Sequence, residues 1–273
     1  MDPVAYPAET AEGWYALHQM FSIDRAALRA IPVESRHGLM DKATQALDKL
    51  TAHEGEGWSA VVPLVGSRAE VMFVHFRPTL EEIGDAQRRL ARSALFDALL
   101  PAYSFLSVTE AGMYHVAAKL IRETNEAGGT VGGPEFTKAL GERVAKEREF
   151  DHIKGRLYPT QPADMPWVCF YPMDKKRLEG QNWYTLPLEE RGKLMQEHGF
   201  TGRKYAGRVS QIVTGAIGLD AWEWGVTLFA KDPLDFKKIV QEMRYDEASA
   251  KYAEFGEFFV GKRTSASEWI ATL

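Results

Sequence analysis

Tyr171, Met173 and Lys175 alternate in the run CFYPMDKKR, residues 169–177. In a strand, side chains at every second position share a face and stand about 6.6 Å apart along it. A phenol, a thioether and an amine on one face combine a redox-capable group, a soft contact and a cation. Phe170, Pro172 and Asp174 take the other face. Proline brings no N–H to a ladder, so this end of the strand is expected at a sheet edge or against a cavity. Spacing alone leaves a second interpretation open: a mixed strand whose last lysine snorkels to solvent.

Downstream, in PLEERGKLMQEHG, Leu188, Arg191, Leu194 or Met195, and His198 recur at three- and four-residue steps. The spacing predicts an amphipathic helix, ended by Gly199, with His198 on its inward face near the C-terminus. An inward histidine is either a hydrogen-bonded core residue or a metal ligand through its free ring nitrogen. No second histidine or carboxylate stands beside it at zinc-ligand spacing. A metal on His198 therefore needs ligands from elsewhere, and a porphyrin would supply them, because haem iron takes a single proximal protein ligand.

Elements on either side must hold these residues in place. The first half reads β-α-β-β-α-β: a strand GWYALHQMF, a helical segment from Asp24 to His53, strands WSAVVPLVG and AEVMFVHFR turning at Gly66 and Ser67, a helix from Thr79 to Leu100, and a strand YSFLSVTEAG. Pro78 and Thr79 ahead of Glu81 and Glu82 make a good helix start. The second half repeats that order. Strand WVCFYPMDKK precedes the His198 helix, then come strands RVSQIVTGAIG and EWGVTLFAKDP, the helical stretch DPLDFKKIVQEMRYDEASAKYAEFG and the strand FFVGKR. The segment from residue 71 overlays that from residue 226 without gaps, setting Pro78 on Pro233 and Arg89 on Arg244. This predicts an α+β protein built from a duplicated ferredoxin-like unit, residues 1–112 and 167–273, whose sheets pack face to face or form a dimeric barrel-like subunit. Two unrelated βα units of ordinary composition are the alternative. Residues 113–166 connect the halves, with a helical part at 134–150; a connection this long is expected to be functional or mobile.

Composition narrows the classes of function. A net charge of -5 over 273 residues argues against a general nucleic-acid binder. An apolar fraction of 45% with 26% charged residues is ordinary for a soluble globular protein. No apolar run reaches the roughly 18 residues a membrane span needs. The start, MDPVAYPAET, has neither a basic n-region nor an apolar h-region. Cys169 is the one cysteine, so no internal disulfide forms, and a cytoplasmic location is expected.

The runs YPMDKKR, NWYTLPLEERGKLMQEHG, TGRKY, VSQIVTGAIGLDAWEWGVTLF and DPLDFKKIVQEMRYDEASAKYAEFGEFFVGK together resemble the chlorite-dismutase-like haem protein family, in particular its coproheme decarboxylase branch. The resemblance is strong over residues 167–263, looser over 13–112 and weak over 115–150, where the chain carries extra residues. It implies that His198 is the proximal iron ligand and Tyr171 the tyrosine that becomes a radical and takes hydrogen from the substrate. It also implies that Lys175 lies by the propionate that reacts second and that Met173 is a porphyrin contact. Arg156, Arg203, Arg244, Ser249 and Tyr114 match the propionate contacts; for any one arginine a surface ion pair is the ordinary alternative. Gln211 falls where chlorite dismutases carry a distal arginine, and an amide lacks the fixed cation that chlorite chemistry uses. Actinobacterial decarboxylases use a distal histidine; none stands at a matching position here, and His115 lies nearby.

What the resemblance implies is a peroxide-dependent oxidative decarboxylation. Two propionates of iron coproporphyrin III (coproheme), which is both substrate and redox centre, become vinyl groups and give haem b. A chlorite dismutase or haem peroxidase, and a haem carrier without turnover, are the competing functions. A homopentamer and a transient contact with coproporphyrin ferrochelatase are the implied partners; neither nucleic acid nor a membrane span is expected.

Overall fold

The computed structural model describes residues 7–273, the side chain of Ala94 excepted. In the first half, β1 (Thr10–Ile23) is followed by α1 (Arg25–Ala30), α2 (Val33–Thr51), β2 (Trp58–Val65), β3 (Val71–Arg77), α3 (Leu80–Ala91) and β4 (Leu99–Gly112). The expected helix from 24 to 53 is thus two helices, because Pro32 interrupts the first and opens the second. The helix expected to reach Leu100 stops at Ala91, after a start in which the Thr79 hydroxyl accepts from Glu82 N. The connection holds α4 (Tyr114–Glu126), α5 (Pro134–Glu147) and α6 (Asp151–Leu157), of which the sequence pattern predicts only the middle one.

The second half runs β5 (Trp167–Lys175), the two-residue strands β6 (Arg177–Leu178) and β7 (Gln181–Asn182), α7 (Leu188–Arg203), β8 (Val209–Gly215), β9 (Trp224–Ala230), α8 (Leu234–Met243), α9 (Glu247–Ala250), β10 (Ala253–Phe255), β11 (Phe259–Lys262) and α10 (Ala266–Ile270). Gly199 does not end its helix: α7 runs on to Arg203, and the left-handed glycine comes later, at Gly207 with φ 78°. A glycine terminates a helix only where the backbone turns left-handed, and position 199 stays helical.

The strand pairing explains how two units make one subunit. The first half pairs in the order β4-β1-β3-β2 and the second in the order β11-β5-β9-β8. Numbering the four principal strands within each half, both read fourth-first-third-second, the ferredoxin-like arrangement. Each half's fourth strand then pairs with the other half's second: β4 with β8 at Val108↔Gly215, and β11 with β2 at Val260↔Val65. Eight strands therefore close into a barrel without a free edge among them. Its interior gathers buried side chains from all eight, among them Met20, Val62, Phe76, Phe105, Phe170, Ile212, Phe229 and Phe259.

Helices cover the outside unequally. Over the first half, α2, α3 and α10 fill the outer face with Leu47, Leu50, Leu90 and Trp269 against Phe73. Over the second half, α8 supplies Phe236, Ile239 and Met243 against Cys169, Tyr171 and Leu228. Between that face and α7 the packing is incomplete, and a cavity remains. No helix among the described residues is long and apolar enough to cross a membrane.

Candidate active site

Strand alternation divides β5 as its sequence predicts. Val168 and Phe170 enter the barrel interior, while Cys169, Tyr171 and Met173 face the helices. Pro172, however, is not at an edge. It pairs with Gly225 of β9 on one side. On the other it sits where β11 ends, at Phe259↔Phe170, and β10 begins, at Phe255↔Met173. Its carbonyl accepts from Gly256 N at 2.9 Å, so the missing N–H falls in the break between two partner strands.

The cavity occupies about 1310 Å³, above the roughly 300–1,000 Å³ of most small-molecule sites. Tyr171, Met173 and Lys175 of β5 line one wall, Gln211 of β8 another, and His198 and Arg203 of α7 a third. Ser249 of α9, Tyr114 of α4 and Arg156 of α6 also reach it. Arg244 does not line it. Its guanidinium lies 3.7 Å over the Phe255 ring, within electrostatic reach of the Tyr171 phenol.

His198 is held in a fixed orientation. Its Nδ1 stands 2.9 Å from Asp246 Oδ2 and 3.4 Å from Ser249 Oγ. Asp246 caps α9 and accepts from Ser249 N at 2.9 Å through its other oxygen. Burial pushes the Asp246 carboxyl up, but the hydrogen bonds from His198 and Ser249 outweigh it and hold it below its usual range. A carboxylate on one imidazole nitrogen fixes the tautomer and ring angle and leaves Nε2 as a basic ligand. Among the described residues no three His, Cys, Asp or Glu side chains form a metal cluster. The one-histidine donor set and the cavity's size fit an iron porphyrin, which brings its own ring nitrogens.

Tyr171 is 5% exposed and stacks on Phe258 with centroids 4.5 Å apart. Burial pushes its phenol well above the ordinary tyrosine range, with the Arg244 charge working the other way, so the phenol is neutral. Lys175, 8% exposed, donates from Nζ to Ala248 O at 3.2 Å and sits 4.2 Å over the Trp183 ring. Burial pulls its ammonium down to about 8, against the pull of Asp246 and Glu223. Its backbone N–H is tied to Glu223 Oε2 at 2.9 Å, which fixes the end of β5 to the start of β9.

Three cavity residues have no role in the sequence reading. Trp183 is buried beside Lys175, and nothing in NWYTLP marks it as more than a core aromatic. Glu110 of β4 accepts from Trp224 Nε1 at 2.8 Å, and burial pushes its carboxyl up. Arg191 is legible as inward-facing on its helix, but an arginine's helical phase does not say what it faces.

Fold and site together define a dimeric α+β barrel in which one half keeps a porphyrin-sized cavity backed by an oriented histidine. The chain belongs to the chlorite dismutase family, whose family model matches residues 36–264. It is 40% identical over 258 residues to a coproheme decarboxylase of Staphylococcus carnosus (strain TM300), covering 93% of each chain. It is likewise 40% identical, over 257 residues, to a coproheme decarboxylase of Staphylococcus saprophyticus, covering 93% of this chain and 92% of that one. A heme-binding protein from Thermus thermophilus superposes with a TM-score of 0.83 at 39% identity, covering 99% of this chain and 98% of the other. A mutant chlorite dismutase from Candidatus Nitrospira defluvii, at 20% identity, shares the fold with a TM-score of 0.71, covering 96% of each chain.

Proposed function

We propose that the protein is a coproheme decarboxylase, converting two propionates of iron coproporphyrin III to vinyl groups with hydrogen peroxide. The observation that carries this is one cavity joining His198, backed by Asp246, to a buried neutral Tyr171 and a buried Lys175. The two staphylococcal relatives are named for this activity. Gln211, an uncharged amide lining the same cavity, supports it over chlorite chemistry.

Each step balances as one propionate carboxylate, one peroxide and one proton giving a vinyl group, carbon dioxide and two waters. The bound iron porphyrin would supply the oxidising equivalents from peroxide. His198 would hold it through Nε2, with Asp246 keeping the imidazole aligned. Tyr171 loses one electron and one proton to become a neutral phenoxyl radical, then regains a hydrogen atom from the β-carbon of the propionate beside it. A phenol kept neutral by burial has its hydrogen in place for that transfer. Lys175 would meet the second propionate, and Met173, Arg156, Arg203, Ser249 and Tyr114 would contact the ring and its acids, with Arg244 acting through the Tyr171 wall.

Under this reading residues 167–273 carry the porphyrin, residues 1–112 close the barrel, and residues 113–166 wall the cavity. The same reading places the protein in the cytoplasm as a homopentamer that receives coproheme from a ferrochelatase. Iron coproporphyrin III, peroxide and the protein, followed by product mass, test the activity. The Tyr171→Phe variant should bind coproheme and release no carbon dioxide; conversion at the parent rate sinks the radical role. The His198→Ala variant should change the iron spectrum, and an unaltered spectrum removes the ligand assignment.

A further inference from the structure

Each decarboxylation takes up one proton along with its peroxide, and a tetrapyrrole filling the cavity screens that proton's path from bulk water. His198 enters from α7, so the side left open to peroxide is the sheet. Among the described residues that line the cavity, the carboxyls are Glu12 of β1, Glu110 of β4 and Glu189 of α7. Glu12 and Glu189 are exposed, and only Glu110 is partly buried.

The wall is shaped around that carboxyl. Gln211, Val213 and Gly215 alternate on the cavity face of β8, while Ile212 packs in the barrel. At Gly215 an added Cβ would stand 2.1 Å from Glu110 Oε2, so any side chain there would take the space the carboxylate fills. Trp224 pairs with Gly215 across β8 and β9, pairs with Met173 across β9 and β5, and donates from Nε1 to Glu110 Oε1 at 2.8 Å. One row of the cavity floor thus holds Met173, Trp224 and Glu110, and the next row on the same face holds Tyr171, Val226 and Val213. Toward solvent, Glu12 stands opposite Glu110 in the β1–β4 ladder and accepts from the Thr10 hydroxyl. Arg148 donates to the Glu12 carbonyl oxygen at 2.9 Å, and Tyr114 of α4 is within electrostatic reach of Glu110. Burial pushes the Glu110 carboxyl up, against the Trp224 hydrogen bond and with a smaller push from Glu12.

We propose that Glu110 is the proton donor of this cavity, passing its proton to the peroxide oxygen that leaves as water and regaining one from solvent by way of Glu12. The inference rests on the coproheme reading and gives it a residue for the proton it consumes. No electron passes through Glu110. The O–H bond of its carboxyl breaks, an O–H bond of water forms, and one solvent proton restores the carboxylate left behind. Such a donor works when its proton is present and its oxygen is held in place, and here Trp224 and Gly215 hold it.

Two measurements test this. In the apo protein, infrared titration should show a protonated carboxyl persisting above about pH 4.3, where an ordinary glutamate titrates, and Glu110→Gln should lack it. With ferric coproheme bound, Glu110→Gln should keep the parent affinity within about twofold and consume peroxide about a hundredfold more slowly, as for loss of a general acid. Added acetic acid should restore much of that loss, because it carries the proton the amide cannot. Parent turnover in Glu110→Gln overturns the proposal. So does a loss that acetic acid leaves untouched, which would mean that the carboxylate only orients Trp224. If Glu110→Gln does not fold, Glu110→Asp draws the acid back by one methylene; it should keep the infrared band and slow peroxide consumption, and parent turnover in it overturns the proposal equally. Parent protein that converts no coproheme refutes the coproheme reading itself, whereas an apo titration without the Glu110 band removes the donor alone.

Discussion

At the scale of single residues, Lys175 shows what the cavity costs the fold. Its ammonium is held near 8 inside the protein, whereas an unfolded lysine titrates near 10.4. Between those values the unfolded chain binds a proton that the folded chain does not, so stability rises with pH across that window and levels off above it. The penalty for burying the charge is fully present below pH 8. Lys175→Met removes it, so the variant should be more stable than the parent at pH 7, by up to about 3 kcal/mol. The advantage should shrink as the pH approaches 10. Thermal melts of both proteins at pH 7 and pH 10 read this directly. A deficit of equal size at both values would show that the contacts to Ala248 O and the Trp183 ring dominate instead. With coproheme and peroxide the same variant should stop after one decarboxylation, leaving a three-propionate product detectable by mass.

Elements position these residues through close backbone approaches that the seams of the barrel require. At Gly261 of β11 an added Cβ would stand 2.1 Å from the carbonyl oxygen of Pro63 in β2, a backbone atom that cannot swing aside. Gly225 of β9 is as crowded inside the barrel, with Phe105 Cε1 at 2.6 Å and Phe170 Cε2 at 3.0 Å from the same construction. Gly225→Ala should cost about 1–3 kcal/mol by overpacking. Gly261→Ala should cost at least as much, because it forces the β2–β11 seam apart. Urea titrations of the two variants measure both losses, and a neutral Gly261→Ala would mean that the seam yields easily. The sequence makes these strands readable and their seams invisible. Period-two alternation in CFYPMDKKR sorts Phe170 from Tyr171 correctly because each face of β5 meets a different apolar layer. Nothing local says that β11 will pair with β2, which is a consequence of closure. Of the two positions expected for this end of β5, an edge or a cavity wall, the cavity wall is the one found, with Tyr171, Met173 and Lys175 lining it; Pro172 itself lacks an edge because its missing N–H falls in a break between β10 and β11, which only the assembled sheet reveals. The helix α4 carries a readable apolar side in Val116, Ala117 and Leu120 that the sequence reading passes over, whereas the seven residues of α6 are too few for a period to show, so Tyr114 and Arg156 are reached by resemblance and not by phase.

In the whole molecule, the barrel interior is what makes two ferredoxin-like halves one folding unit. His18 of β1 stands fully buried there, its Nε2 2.9 Å from Thr227 Oγ1 of β9 and its ring stacked 4.1 Å from Phe170 of β5. A first-half side chain is thereby packed and hydrogen-bonded to two second-half strands. His75 is equally buried under the first-half helices, its Nδ1 2.8 Å from Ser59 Oγ. Burial pulls both imidazoles down to about 3, so both are neutral in the folded protein. An unfolded histidine titrates near 6.5, so below that pH the unfolded chain takes up protons that the folded chain refuses. The stability these two neutral rings contribute is complete above pH 6.5 and is lost as the pH falls toward 3. Each histidine adds about 1.4 kcal/mol of lost stability per pH unit in that window. Urea titrations of the apo protein between pH 4 and pH 7 should show that steep fall. Because His18 joins the halves, the fall should appear in one cooperative transition, with near-ultraviolet signals from tryptophans of both halves moving together. His18→Gln should reduce the slope by about one proton while keeping a polar partner for Thr227. Two separate transitions, or a slope that His18→Gln leaves unchanged, would show that the halves unfold independently and that this buried imidazole does not couple them.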